Sequence, residues 1–143
     1  MGNVLKTGDI VLLEGDLGAG KTVLTQGVCR GLGLPKAVIV RSPTFTLIND
    51  YPHTPPIRHA DLYRLKSDEE IETIGLFEDS GARVTIVEWA ERLTYVESLE
   101  FIRVKIEDLE ETQRLLTITA RVEFIEIASR LFESAGIHGR LAS

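Results

Sequence analysis

The spacing of apolar positions along the chain changes at a glycine-rich segment. Residues 10–13 (IVLL) are an unbroken apolar run, which predicts a strand buried on both faces of a parallel sheet. From Thr22 the apolar residues recur at helical spacing, and Gly31, Gly33 and Pro35 supply the stop signals of a helix. A strand, a glycine-rich loop and a helix are therefore predicted in direct succession.

The next part of the chain predicts short extended segments. Residues 38–40 are apolar and predict a short strand, while residues 41–44 (RSPT) predict a loop because the residue before a proline avoids the helical region. Residues 45–51 and 57–65 predict two extended segments, and the proline-rich turn at residues 53–56 joins them as a hairpin.

A short helix and a second buried strand follow the hairpin. Ser67 and Glu70 have the spacing of a capping box, which predicts a helix that ends at Gly75 or Gly81. Residues 84–87 (VTIV) are mainly apolar, and they predict a second apolar strand.

The last part of the chain predicts two strands and a helix. Residues 101–106 alternate between apolar and polar, and residues 115–120 do so less strictly, which predicts two half-exposed strands joined by a charged turn at residues 107–111. Residues 122–135 carry apolar side chains at helical spacing. No repeat or linker interrupts the chain, so one domain over residues 1–143 is predicted.

Composition limits the classes of function. With 43% hydrophobic residues in 143, the chain can bury the core of one globular domain. No apolar run is long enough to cross a bilayer, so a cytosolic protein without a membrane partner is expected. The single cysteine cannot form an internal disulfide or a thiolate zinc cluster. A net charge of −6 argues against a protein that binds nucleic acid alone, so a partner should carry any RNA.

Residues 15–22 (GDLGAGKT) carry the strongest chemical signal, a P-loop pattern in which two spaced glycines precede a lysine and a hydroxyl residue. Glycines let successive backbone amides turn toward phosphate oxygens, and the following helix presents its positive end. Lys21 is expected to reach the β- and γ-phosphates, and Thr22 to offer its hydroxyl to Mg²⁺. The segment therefore predicts nucleotide binding, and the alternative is a glycine-rich turn of structural use.

A carboxylate should accompany Thr22 at the metal, because Mg²⁺ prefers oxygen ligands. Residues 84–88 (VTIVE) have the form of a Walker B strand, with Glu88 at the carboxyl end where open α/β sheets place their ligands. Glu88 is therefore the candidate metal ligand, and the alternative interpretation is a solvated strand end.

Three further segments agree with this interpretation: residues 42–46 (SPTFT), 59–65 (HADLYRL) and 88–91 (EWAE). With the P-loop, their order and spacing resemble the TsaE family, formerly called YjeE, over residues 5–93. The resemblance implies an α/β fold of the P-loop NTPase type, with a mainly parallel central sheet flanked by helices and with antiparallel additions. It also implies ATP and Mg²⁺ as cofactors, and ATP hydrolysis coupled to a complex of TsaB and TsaD that makes threonylcarbamoyladenosine in tRNA.

The resemblance also assigns roles to individual residues. Lys21, Asp61 and Glu88 are the expected catalytic residues, and Thr22 and Glu88 the expected metal ligands. Asp61 would either orient the attacking water or bind the metal through water. Residues 42–44 would form a switch-like segment near the γ-phosphate. The expected ATP contacts are Asp16, Leu17, Gly18, Ala19, Gly20, Lys21, Thr22, Val23, Thr44 and Trp89.

Several residues in these segments also have a structural interpretation. His59 and Tyr63 are expected either to act directly or to help order the hairpin. Arg64 would contact phosphate or a partner, or form a surface ion pair. Trp89 would lie beside the nucleotide or at a partner surface, or pack as a large aromatic side chain. Cys29 falls on the apolar face of the first helix and is predicted to be a small core residue.

Two features depart from the family pattern. Family members commonly place a second threonine after the P-loop threonine, whereas this chain has Val23, so any role of that hydroxyl is absent or supplied elsewhere. The family usually has a further strand and helix before the segment that corresponds to residues 7–9. Two explanations are open: the sheet lacks an edge element, or the given start of the chain lies within a longer protein.

Two other functions are compatible with a P-loop. A small-molecule kinase would need an acceptor pocket and a mobile lid that bears arginine, and residues 81–143 show no arginine pair in a glycine-bounded loop. A non-hydrolysing, nucleotide-gated binding module would use ATP to order residues 41–46. No arginine finger is recognisable in the sequence, so slow intrinsic hydrolysis that a partner accelerates is expected.

Overall fold

The computed structural model describes residues 1–94, 101–134 and 140–142, whose strands form one seven-stranded sheet. The strands are Ile10–Glu14 (β1), Ile48–Tyr51 (β2), Ile57–Asp61 (β3), Val84–Glu88 (β4), Ile102–Glu110 (β5), Gln113–Thr119 (β6) and Arg140–Ala142 (β7). The helices are Lys21–Gly31 (α1), Asp68–Thr73 (α2) and Val122–Ser134 (α3), with 3₁₀ turns at Gly2–Val4, Ser80–Ala82 and Ala90–Arg92. The strand order across the sheet is β2-β3-β4-β1-β5-β6-β7.

The central strands run parallel, and antiparallel strands extend the sheet on both sides. β3, β4, β1 and β5 are neighbours in parallel pairing. β2 pairs antiparallel with β3, β6 pairs antiparallel with β5, and β7 runs parallel to β6. The prediction of an α/β fold with a mainly parallel central sheet, antiparallel additions and flanking helices is confirmed.

The two faces of the sheet have separate cores because side chains alternate along each strand. Val11 packs in one core cluster with Cys29 of α1 and Phe124 of α3. Leu12 packs in the other cluster with Ile71 of α2. This cover on both faces explains the unbroken apolar run of β1, and the predictions for that strand and for Cys29 are confirmed.

One predicted strand is wrong. Residues 38–40 form an irregular segment, although Val40 is buried. The backbone carbonyls of Val38 and Val40 accept hydrogen bonds from the side chains of Arg30 (2.7 Å) and Gln26 (2.9 Å) on α1. Because helix side chains satisfy these carbonyls, the apolar segment packs against the protein without joining the sheet.

The predicted hairpin is confirmed in part. β2 and β3 pair antiparallel, but residues 44–46 form a turn, residue 47 is a bend, and residues 62–65 leave the strand. The amide of Leu47 donates to the carbonyl of Pro43 (2.6 Å), which bends the chain before β2 begins. Strand pairing therefore ends at Asp61, one of the predicted catalytic residues.

The helix signals near Ser67 are confirmed. The Ser67 hydroxyl accepts a hydrogen bond from the amide of Glu70 (3.3 Å), and α2 ends before Gly75. The Glu70 carboxylate accepts from the amide of Lys66 (2.6 Å) rather than from that of Ser67. The reciprocal bond of the capping box is therefore shifted by one residue toward the N-terminus.

The last strands and helix begin and end at other residues than predicted. β5 continues as far as Glu110 through charged residues that were predicted to turn, and the turn is confined to residues 111–112. α3 buries Phe124 and Ala128 and exposes Val122. Ala135, the predicted end of this helix, lies outside the described residues. Of the helices described, none is both long and apolar enough to cross a membrane.

Burial of Cys29 gives a test of the fold. Burial raises the pKa of the Cys29 thiol to about 11, against about 8.5 for an exposed cysteine. At pH 8 the reactive thiolate is then depleted by a factor of about 100 or more, so iodoacetamide should modify the folded protein at least about 100-fold more slowly than the urea-unfolded protein. Mass spectrometry measures both rates, and equal rates would contradict the packing of α1.

Candidate nucleotide-binding site

The glycine-rich loop connects the end of β1 to the start of α1. Gly15 has a φ of 147° and Gly20 a φ of 108°, both in the region that favours glycine. A Cβ on Gly15 would lie 2.6 Å from the carbonyl oxygen of Ile106 on β5, so this close approach excludes a side chain. The first amides of α1 have no partners within the helix, which favours an anion at this end.

Lys21 is the first residue of α1, and its ammonium group is held inside the loop. Nζ donates to the carbonyl oxygens of Gly15 (2.5 Å) and Asp16 (2.9 Å) and lies 3.8 Å from the ring centroid of Trp89. Burial lowers the pKa of Lys21, whereas Glu91 and other nearby carboxylates act in the opposite direction. Because hydrogen bonds between charged groups are stronger, phosphate oxygens would compete well with these carbonyls for the ammonium.

Two carboxylates end neighbouring parallel strands at one edge of the sheet. Asp61 is the last residue of β3 and Glu88 the last of β4, and the two are paired in register. Each of these residues is 2% exposed. Leu13 of β1 pairs with Glu88 on its other side, just before the glycine-rich loop. The structure therefore brings both predicted acids and the loop together at the carboxyl edge of the sheet.

The two oxygens of Glu88 contact different parts of the chain. Oε2 accepts a hydrogen bond from Thr22 Oγ1 (2.9 Å), and Oε1 lies 2.7 Å from His59 Nε2. Thr22 and Glu88 thus place a hydroxyl beside a carboxylate, and both are hard oxygen donors that suit Mg²⁺. Within the described residues no group of three or more His, Cys, Asp or Glu could hold a metal ion. The donor set fits a magnesium ion that takes its other ligands from phosphate and water.

Asp61 holds the loop that precedes β2. Its Oδ2 accepts hydrogen bonds from the hydroxyls of Ser42 and Thr44 (3.0 Å for Thr44), and its Oδ1 accepts from the amide of Tyr63 (2.9 Å). The predicted switch-like residues 42–44 are therefore tied directly to a predicted catalytic residue. Sequence reasoning missed this link, because a hydrogen bond between separate segments leaves no trace in the local pattern.

These groups surround one cleft of about 410 Å³, a size typical of small-ligand sites. It is lined by Leu17, Gly18, Gly20, Lys21, Thr22, Val23, Ser42, Thr44, Asp61, Tyr63, Glu88 and Trp89. Of the predicted ATP contacts, Asp16 and Ala19 do not line it. Ala19 is buried and lines an adjoining cavity instead, and Asp16 contributes its backbone carbonyl to Lys21.

A second cavity of about 570 Å³ adjoins the same loop. It shares Gly18, Gly20 and Val23 with the first cavity and is also lined by Ile106 and Leu116 from β5 and β6. Sequence analysis did not place these two strands at the site. Their alternating pattern predicted half-exposed strands, but the long-range pairing of β5 with β1 brings them beside the loop.

Aromatic residues of the predicted motifs lie around the cleft. Trp89 has a φ of 59°, and its ring packs on Tyr63 with centroids 4.8 Å apart. Trp89 both packs and lines the cleft, so its two interpretations are compatible. Arg64 lies 4.9 Å from the ring centroid of Phe45, and among the described residues it contacts this ring rather than a carboxylate. His59 is completely buried and contacts the candidate metal ligand Glu88.

Comparison with known proteins points to one family. The family model described as "Threonylcarbamoyl adenosine biosynthesis protein TsaE" matches residues 1–116, which extends the resemblance beyond residue 93 into β6. The tRNA threonylcarbamoyladenosine biosynthesis protein TsaE of Bacillus subtilis is 42% identical over 117 residues, which cover 80% of this chain and 72% of that protein. The protein of the same name from Nostoc sp. is 41% identical over 126 residues, which cover 83% and 75%.

The fold agrees with a solved structure of similar sequence. The crystal structure of Bacillus subtilis YdiB superposes with a TM-score of 0.72 at 32% sequence identity. The superposition covers 94% of this chain and 83% of the YdiB chain.

Gly15 allows a test of the loop geometry. Gly15→Ala should lower the free energy of unfolding by about 1–3 kcal/mol, because the added Cβ meets the Ile106 carbonyl and φ is unfavourable. Gly27→Ala is the matched control within α1: nothing crowds its Cβ, so alanine should raise the free energy of unfolding by about 0.5–1 kcal/mol. Urea unfolding followed by circular dichroism measures both. A Gly15→Ala variant as stable as the wild type would contradict the close backbone approach.

Proposed function

This chain belongs to the TsaE family, and on that premise we propose that it is a magnesium-dependent ATPase of tRNA threonylcarbamoyladenosine synthesis. The observation that supports this function best is the convergence of Lys21, Thr22, Asp61 and Glu88 on one cleft. Phosphoryl transfer uses these residue types. A lysine and a metal site offset the negative charge of the phosphates, and a further polar side chain orients the attacking water.

The triphosphate lies along the glycine-rich loop in this proposal. Amides of the loop and of the first turn of α1 donate to phosphate oxygens. Lys21 exchanges the carbonyls of Gly15 and Asp16 for oxygens of the β- and γ-phosphates. The nucleoside half occupies the adjoining cavity, where Ile106 and Leu116 offer apolar surface to a base.

Thr22 and Glu88 are the proposed metal ligands. A bound Mg²⁺ would supply positive charge between the β- and γ-phosphates. The Thr22 hydroxyl and Oε2 of Glu88, which lie 2.9 Å apart, are the protein oxygens that would hold it. The local charges favour a cation here. Two buried carboxylates line the cleft, and Lys21 is the only basic residue among the described residues that line it.

Hydrolysis proceeds by in-line attack of water on the γ-phosphorus. The water oxygen bonds to phosphorus while the bond to the β–γ bridging oxygen breaks, and ADP, phosphate and a proton are the products. Asp61 orients this water or binds the metal through water. The hydroxyls of Ser42 and Thr44 hold one oxygen of Asp61, which supports a carboxylate of defined direction. Lys21 offsets the negative charge that develops in the transition state.

Slow intrinsic turnover and a protein partner complete the proposal. No arginine is among the described residues that line the cleft, and Arg114, which lines the adjoining cavity, is paired with Asp108 (2.8 Å), so no free arginine finger is evident there. Leu17, Val23 and Phe45 are 77%, 69% and 85% exposed near the loop and the switch-like segment, and such apolar surface suits protein docking. We assign this surface to the complex of TsaB and TsaD. That complex would hold the tRNA, because this chain carries a net charge of −6.

A nucleotide-gated binding module is the second candidate function. The direct link between Asp61 and residues 42–44 favours it, because a γ-phosphate beside Asp61 could reposition this loop without hydrolysis. A small-molecule kinase has less support, because the described cleft has no arginine-bearing lid. The fate of the γ-phosphoryl group separates the three functions: an ATPase releases it as inorganic phosphate, a kinase transfers it to a metabolite, and a gated module leaves it on ATP.

The central test is tRNA modification with purified TsaB, TsaD and tRNA. Lys21→Ala should lower multiple-turnover formation of threonylcarbamoyladenosine by about 100-fold or more, because it removes a cation that offsets transition-state charge. Lys6→Ala, which changes an exposed lysine outside the cleft, should leave the rate unchanged and serves as the matched control. Full modification by Lys21→Ala, or wild-type turnover that releases no phosphate, would contradict the proposed ATPase.

The docking surface has its own test. The TsaB–TsaD complex should raise ATP turnover by this chain, and Phe45→Ser should reduce that stimulated rate by about tenfold, because it removes an exposed apolar contact. Basal turnover should stay within about twofold, since Phe45 does not line the cleft. Leu109→Ser changes another exposed apolar residue, on β5, and is the control. Stimulation that survives in Phe45→Ser, or falls equally in both variants, would count against this surface.

A further inference from the structure

Glu88 is a buried carboxylate whose two oxygens have different sets of donors. Oε2 contacts the hydroxyl of Thr22, which lines the cleft. Oε1 lies 2.7 Å from Nε2 of His59 and 3.4 Å from the hydroxyl of Thr25, and both of these residues are completely buried. One oxygen is therefore directed to the cleft, and the other is directed into the protein.

His59 is the principal donor to Oε1. The Thr25 hydroxyl has one hydrogen, and the carbonyl of Lys21 at 3.0 Å competes for it with Glu88 at 3.4 Å. A carboxylate that binds a metal is ionised and only accepts hydrogen bonds, so Nε2 of His59 carries the proton when Glu88 acts as a ligand. Among the described residues the imidazole thus provides the shortest hydrogen bond to this oxygen.

Folding alone gives no reason for a histidine at this position. Nδ1 of His59 is buried, and no atom of the described residues forms a hydrogen bond with it. A buried polar atom without a partner is destabilising, and an apolar side chain at this position would avoid it. The single bond from His59 to Glu88 is therefore the contact that explains the residue.

We infer that His59 is a positioning residue, which holds Oε1 of Glu88 so that Oε2 faces Thr22 and the magnesium site. The inference rests on the proposed function, in which Thr22 and Glu88 bind the metal. Carboxylates that bind metals are commonly oriented by a hydrogen bond to a neighbouring group, and loss of that group weakens metal affinity by about 10–100-fold. Without His59 the carboxylate would be free to turn about its terminal bond, and neither oxygen would be held in the direction of Thr22.

The test compares variants of the full chain by their affinity for ADP with Mg²⁺ and with EDTA. His59→Leu removes the donor and keeps a side chain of similar size, whereas His59→Gln can place an amide N–H near the position of Nε2. Thr25→Val removes the longer contact to Oε1 together with the bond to the Lys21 carbonyl, keeps the His59 bond, and is the matched control. Isothermal titration calorimetry gives both ADP affinities, and electron paramagnetic resonance of Mn²⁺ with ADP reports metal occupancy directly.

The expected result separates metal binding from nucleotide binding. The Mg²⁺ gain is the ratio of the ADP affinity in Mg²⁺ to that in EDTA, and it should be about 10–100-fold smaller for His59→Leu than for the wild type. His59→Leu should also bind Mn²⁺ more weakly by a similar factor. Its affinity for ADP in EDTA should stay within about twofold of the wild type, because the loop is untouched. His59→Gln should recover most of the Mg²⁺ gain, and Thr25→Val should keep it.

Four outcomes would count against the inference or its premise. A folded His59→Leu variant with the wild-type Mg²⁺ gain would overturn it. Equal loss of ADP affinity in Mg²⁺ and in EDTA would assign His59 a structural role and overturn it as well. A wild-type chain whose ADP affinity does not respond to Mg²⁺ would instead reject the proposed metal site. If His59→Leu does not fold, His59→Asn replaces it, and equal Mg²⁺ gains in the Asn and Gln variants would refute the positioning role.

Discussion

The parallel pairing of β3, β4 and β1 is the constraint on which the rest of the structure depends. Parallel strands end at the same edge of a sheet, so Asp61, Glu88 and the glycine-rich loop after β1 meet there. The same pairing requires cover on both faces, which α1 and α3 supply on one side and α2 on the other. A change of register by one residue would turn Glu88 from the cleft to the opposite face of the sheet.

The charged groups at this edge are satisfied by neighbouring protein atoms. Lys21 donates to loop carbonyls, Glu88 accepts from Thr22 and His59, and Asp61 accepts from hydroxyls and an amide. Such hydrogen bonds allow ionisable groups to remain buried at the end of a central sheet. A ligand with phosphates and a metal would exchange these bonds for stronger ones between charged groups, without a large rearrangement of the strands.

The segment of residues 42–46 connects this chemistry to the surface. Ser42 and Thr44 bond to Asp61 at the inner end, while Phe45 is exposed beside Arg64 at the outer end. A change at the phosphate site that moves Asp61 would therefore also move an exposed aromatic side chain. This arrangement supports coupling between nucleotide state and partner binding through a short segment of the chain.

The sequence by itself determined the features that depend on local sterics and periodicity. The buried strands before the P-loop and before Glu88, the start of α2 at Ser67, and the residues of the loop could be predicted, because each follows from spacing and residue type over a few positions. Only the tertiary structure decided that residues 38–40 stay outside the sheet and that His59 bonds to Glu88, 29 residues away. Such contacts depend on strand order and register, which arise from packing between distant segments and therefore have no local pattern in the chain.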